Sequence, residues 1–138
     1  MKLHYALLVA ILVWNSGCQG TPKTVESQAP ESVAGISLIY ENLGEDTVGI
    51  PRSVVLLGEN GGAIVLDTLS LNLEKIEKEK YAAMGIPADA IDACGGWYAG
   101  GGDYFYVIKR NGNAVVYRGY LDEEQTDDGY HWSEIKTE

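Results

Sequence analysis

Outside its first eighteen residues the chain has one thiol, Cys94, and one imidazole, His131, the two side chains whose types suit nucleophilic catalysis. Within hydrogen-bond reach of each other they would make a small cysteine-dependent hydrolase. Cys94 would be the nucleophile, His131 its base, and the amides of Gly95 and Gly96 the oxyanion donors. The local pattern argues for quieter roles. Ala88 to Cys94, after Pro87, reads as a two-turn helix closed by Gly95, and a thiol at a helix C-terminus has its pKa raised by the dipole. Cys94 is then expected to be a buried small hydrophobe. His131, between Tyr130 and Trp132 in a strand, can satisfy a ring nitrogen on backbone or on a carboxylate such as Glu134. No catalytic residue is therefore expected, with the Cys94 and His131 pair as the alternative.

The run Gly95-Gly96-Trp97-Tyr98-Ala99-Gly100-Gly101-Gly102-Asp103 is rich enough in glycine to let backbone approach a ligand. It lacks the Lys-Ser/Thr of a phosphate-binding loop and the G-x-G-x-x-G spacing of a dinucleotide site. Trp97 and Tyr98, with Tyr104, Tyr106, Tyr120 and Trp132 nearby in sequence, could form an aromatic platform that stacks on sugars, peptides or small ligands. The competing reading is a tight loop pinned by Trp97 in the core. Asp122 to Asp128 offers oxygens enough for calcium but not EF-hand spacing, and reads as a solvated acidic turn. One thiol and one imidazole are too few for a transition-metal cage, so neither metal nor cofactor is expected.

These residues need elements to place them. Ile36 to Tyr40 reads as a strand. Ser53 to Gly58 and Ala63 to Asp67 flank Asn60-Gly61, and Tyr104 to Arg110 and Asn113 to Tyr120 flank Asn111-Gly112; both pairs have the chemistry of type I′ hairpins. The turns set Leu57 opposite Ile64, Leu56 opposite Val65, Tyr106 opposite Tyr117 and Ile108 opposite Val115. Both strands of the first hairpin are apolar on both faces, which predicts a central place in the sheet under a helix. Leu73 to Met84 has helical spacing, with Leu73, Ile76, Ala83 and Met84 in one stripe, Asn72 as cap and Gly85 as stop. A last strand spans about Tyr130 to Lys136. The expected fold is α+β, a mainly antiparallel sheet of about six strands with one longer and one short helix on one face.

At the N-terminus, Lys2 precedes the apolar run Tyr5 to Trp14, which gives way to Asn15-Ser16-Gly17-Cys18. Charged start, short apolar run and small-residue exit make a secretory signal, and the run is too short for the ~20 residues of a membrane span. Ser16-Gly17-Cys18 resembles the lipobox of bacterial lipoproteins, although Asn15 stands where that family usually has an aliphatic residue. The resemblance covers only these eighteen residues. It implies lipidation at Cys18, a membrane anchor in the cell envelope and, from Gln19 in place of Asp, the outer membrane.

Residues 1–17 are thus read as signal peptide, 18–35 as lipidated N-terminus and flexible tether, and 36–138 as one domain. With Cys18 acylated, Cys94 has no disulfide partner and the fold must stand on its core. Losing Lys2 with the signal takes the balance of 10 basic against 20 acidic residues from −10 to −11. Such a charge repels phosphate backbones, so nucleic acid is not an expected partner. The expected partners are the membrane, through its lipid, and a protein or small molecule held around the Trp97 loop and the second hairpin. A purely structural envelope protein recognising a protein partner is the third reading.

Overall fold

The computed structural model describes residues 35–137, without the side chains of 126–128; the expected signal segment, Cys18 and the tether as far as Ala34 lie outside them. Among the described residues eight strands form two antiparallel sheets. The first holds, in spatial order, β1 (Ile36–Glu45), β2 (Pro51–Glu59) and β3 (Gly62–Leu69). The second holds β4 (Glu74–Lys75), β5 (Asp92–Tyr98), β6 (Gly101–Arg110), β7 (Asn113–Asp122) and β8 (His131–Ile135). The α-helix among the described residues, α1, is the single turn Tyr81–Met84.

Two-residue turns with left-handed backbone close three hairpins: Asn60-Gly61 (φ 52° and 83°), Ala99-Gly100 (52° and 85°) and Asn111-Gly112 (52° and 82°). Positive φ at both central residues matches the right-handed strand twist and fixes register. Leu57 accordingly faces Ile64 and Leu56 faces Val65, while Tyr106 faces Tyr117 and Ile108 faces Val115.

Strand alternation then divides the second sheet's side chains between two cores. Cys94, Phe105, Val107 and Val116 point between the sheets, against Ile36, Leu38, Val55 and Leu57 of the first sheet and the connecting Leu69, Leu71 and Leu73. Ala93 and Tyr106 point outward, under Ile76, Tyr81, Met84, Ile86 and Ala90. Burying each large aliphatic or aromatic side chain here contributes about 1.5–3 kcal/mol. β1 is stitched to the second sheet along its free edge. The Leu38 N–H donates to Asp92 Oδ2 at 3.0 Å, and Asn42 donates to Leu73 O at 2.9 Å while accepting from Leu73 N at 2.8 Å.

The architecture corrects the expected α+β fold: two packed sheets of eight strands replace one sheet of about six, and neither expected helix forms as read. The stripe Leu73 to Met84 breaks because pairing with other segments overrides helical propensity. Lys75 pairs with Cys94, the Ile76 N–H donates to the Ala93 carbonyl, and Asn42 occupies Leu73, which leaves only Lys78 to Met84 as a 3-10 turn and α1. Gly85, at φ 71°, does end α1. The run Ala88 to Cys94 does not form a helix either, because its last residues open β5 and pair with β6, so Cys94 sits in a strand opposite Phe105 and not at a helix end. The first hairpin is not central either: β3 is an edge, and no helix covers the outer face of its sheet among the described residues.

Candidate functional site

Cys94 and His131 are not brought together. Cys94 is buried between the sheets, 1% exposed, whereas His131 lies exposed on β8. Strands β6 and β7 stand between them, three strand spacings or about 14 Å. Burial, and then the charge of Asp92, push the Cys94 thiol far above its ordinary pKa, the reverse of an activated nucleophile. The amides of Gly95 and Gly96 belong to β5 strand pairing, where these residues face Tyr104 and Asp103.

The aromatic candidates separate onto two faces. Tyr104 and Trp132 share one row across the second sheet, Gly95–Tyr104–Gly119–Trp132, in which each ring faces a glycine on the next strand. A Cβ on Gly119 would come within 2.8 Å of the Trp132 ring, and one on Gly95 would collide with the Tyr104 ring, so glycine there is a packing requirement. Tyr106 stacks on Tyr117 with centroids 4.9 Å apart and meets Trp132 edge-on at 4.7 Å. Trp132 Nε1 donates to the Met84 carbonyl at 2.8 Å, which locks α1 over the sheet. Tyr104, Tyr106 and Trp132 thus form the outer core, and burial raises the Tyr104 phenol to about 12. Trp97 stays exposed on this outer side, packed over Gly102.

Tyr98 points the other way. At the end of the second sheet, the Ala99-Gly100 turn and the 3-10 turn Glu123–Asp128 draw together, with Glu123 N–H donating to Gly100 O at 2.9 Å. Between them and the Ser70-Leu71 connection lies an open groove of about 530 Å³. Its aromatic walls are Tyr98 and Tyr120, 41% and 48% exposed, and its carboxylates are Asp103, Asp122, Glu123 and Glu124. Among the described residues no Lys or Arg lines it. Asp103 is neutralised from behind by Arg118, whose Nη2 and Nε donate to Asp103 Oδ1 at 2.8 and 3.0 Å. Among the described residues no cationic side chain pairs with the carboxylates of Asp122, Glu123 and Glu124. This chemistry suits a cation held over tyrosine faces and between carboxylates.

Sequence reading placed a glycine-rich loop where the chain makes two strands and a tight turn. The pairing of Arg118 with Asp103 and Asp67 leaves no mark in the sequence, because nothing local joins an arginine to aspartates 15 and 51 residues away. Among the described residues no group of three or more His, Cys, Asp or Glu side chains is placed to hold a metal ion, and no helix is long and apolar enough to cross a membrane. Compared with family models, curated proteins and solved structures, the chain matches none.

Proposed function

We propose that this chain is an extracytoplasmic binding module, lipid-anchored through Cys18, that holds polycationic ligands such as lysine-rich peptide segments in the groove between Tyr98 and Tyr120. The observation that carries the binding role is the exposure of these two tyrosines in a groove lined by carboxylates and, among the described residues, by no basic side chain. Its volume lies within the roughly 300–1,000 Å³ usual for binding sites, and its openness to solvent suits an extended segment.

Magnitudes decide between a single cation and a chain of them. A cation over an exposed tyrosine gains about 0.5–1 kcal/mol, and a solvated ion pair about 0.2–1 kcal/mol. One ammonium group therefore does not reach the roughly 4 kcal/mol of millimolar binding, whereas several linked groups do. The anchor rests on the signal-like segment and Ser16-Gly17-Cys18, and a lipid there would keep the groove close to the membrane.

Two experiments test the reading. Growth with a palmitate analogue labels the wild-type chain and not Cys18→Ser, and equal labelling removes the anchor. Calorimetry of the full chain in mild detergent shows oligolysine binding that weakens with salt, while oligoglutamate gives no heat. Failure of oligolysine to bind removes the ligand class.

A further inference from the structure

The two free edges of the first sheet differ. β1 is closed off by Asp92 of β5, which accepts from the Leu38 N–H, and by its own Asn42, which bonds to Leu73, but β3 has no such cover among the described residues. Its middle is apolar and open, with Ile64 45% and Val65 62% exposed. Between β3 and the end of β8 lies a cleft of about 120 Å³ lined by Ile64, Val65, Leu66 and Ile135 to Thr137. Natural sheets blunt such edges with proline, inward charge or a bulge that twists them away. Gly62 to Val65 has no proline, no charge and no bulge; the β2–β3 irregularity falls just after it, at Leu66, which has no partner on β2 between the Leu56–Val65 and Val55–Asp67 pairs.

Register shows which main-chain groups are free. In a two-residue hairpin the flanking pair, here Glu59 and Gly62, exchanges hydrogen bonds, and bonded and non-bonded pairs then alternate. Gly58–Ala63 and Leu56–Val65 are the non-bonded pairs, so Ala63 and Val65 turn their N–H and C=O groups outward. A segment with outward groups at two positions flanking an inward-bonded residue is complementary to itself. Placed antiparallel about a two-fold axis at Ile64, Ala63 of one copy pairs with Val65 of the other, and the reverse, giving about four main-chain hydrogen bonds. The two Ile64 side chains then meet across the axis.

This neutral, self-complementary stretch admits a second copy in spite of the chain's charge. The chain carries −10 overall, which sets most approaches of two copies against carboxylate repulsion. Along Gly62 to Leu66 no charged side chain opposes another, and Asp67, just beyond, is already held by Arg118 at 2.6 Å. We infer that β3 pairs antiparallel with β3 of a second copy about Ile64, joining two three-stranded sheets into one of six.

Cross-linking reads this register directly. Across a non-bonded antiparallel pair the Cα atoms lie about 4.5 Å apart, within disulfide range. Thr68→Cys thiols would instead lie about 26 Å apart at 3.3 Å per residue. In cells making the full chain, mild oxidation should convert Ile64→Cys to a reducible dimer and leave Thr68→Cys and the wild-type chain uncross-linked. Sedimentation in mild detergent should show a dimer of the wild-type chain. Ile64→Lys, which sets two ammonium groups face to face, should lower dimer affinity more than tenfold while circular dichroism stays unchanged. A monomeric wild-type chain overturns the inference and leaves the edge to a strand of another protein. A dimer unaffected by Ile64→Lys, or Thr68→Cys cross-linking as readily as Ile64→Cys, overturns it too.

Discussion

Arg118 Nη1 on β7 lies 2.6 Å from Asp67 Oδ2 on β3, the one ion pair among the described residues that joins the two sheets. The same guanidinium donates to Asp103 and lies 5.5 Å from the Phe105 ring centroid, at the boundary between core and groove. Arg118 thereby closes the sandwich and sets the charge of the groove behind Asp103.

Arg118→Ala leaves two carboxylates without their cation and removes cover from Phe105. Arg118 and Asp67 are each 36% exposed in their side chains, so water screens the pair, and the loss falls below the 3–5 kcal/mol of breaking a fully buried one. Urea unfolding should show a loss of about 1–2 kcal/mol for Arg118→Ala and under about 1 kcal/mol for Asp67→Asn. A neutral Arg118→Ala would show that the sheets are held by apolar contact alone.

Ala99 occupies a left-handed position, φ 52°, that Asn60 and Asn111 fill in the other two hairpins. A side chain with Cβ costs about 1–2 kcal/mol there, which asparagine partly recovers through local hydrogen bonding. Ala99→Asn should raise unfolding free energy by about 1 kcal/mol. A destabilised variant would mean that the Ala99 methyl makes contacts worth more than its backbone strain.

Burial raises the Asp92 carboxyl pKa, against the lowering effect of the Leu38 and Ala93 N–H groups and of Lys75. With the folded value above the unfolded ~3.9, this group's contribution to stability is fully present below the unfolded pKa and is lost as pH rises through the folded one. Unfolding free energy in that window should fall more steeply with pH for the wild-type chain than for Asp92→Asn. Identical slopes would show that Asp92 titrates normally.

Cys94 is predicted to resist alkylation at pH 8 and to react only as fast as the chain opens, because its thiolate would form between the sheets. Labelling that titrates below the ordinary ~8.5 and slows in His131→Ala would instead mean that the thiol is activated.

Local chemistry was legible and long-range placement was not. Asn60-Gly61 and Asn111-Gly112 specify their turns and registers within a few residues, and the structure keeps both. Ala99-Gly100 makes the same turn with an atypical first residue, which is why two strands read as a loop. The alanines before Cys94 carry helical propensity, yet Ala93 lies under Ile76 and Cys94 pairs with Phe105. Strand pairing with a distant segment overrides the local helical propensity of Ala93 and its neighbours. Tyr98 was legible as an exposed aromatic, but its alignment with Tyr120 and Glu123 depends on β6 and β7 pairing over their full length.

The groove is tested most directly by titrating oligolysine into the full chain, Trp97→Ala and the double variant Tyr98→Ala/Tyr120→Ala, all in mild detergent. All three have the same net charge, so a difference in affinity reports aromatic contact and not bulk attraction. Trp97→Ala, on the opposite face, should bind as the wild type does, and the double variant on the order of tenfold more weakly, as expected for two cation–π contacts. Equal affinity in all three would contradict a site between Tyr98 and Tyr120 and reduce binding to nonspecific attraction by an acidic surface.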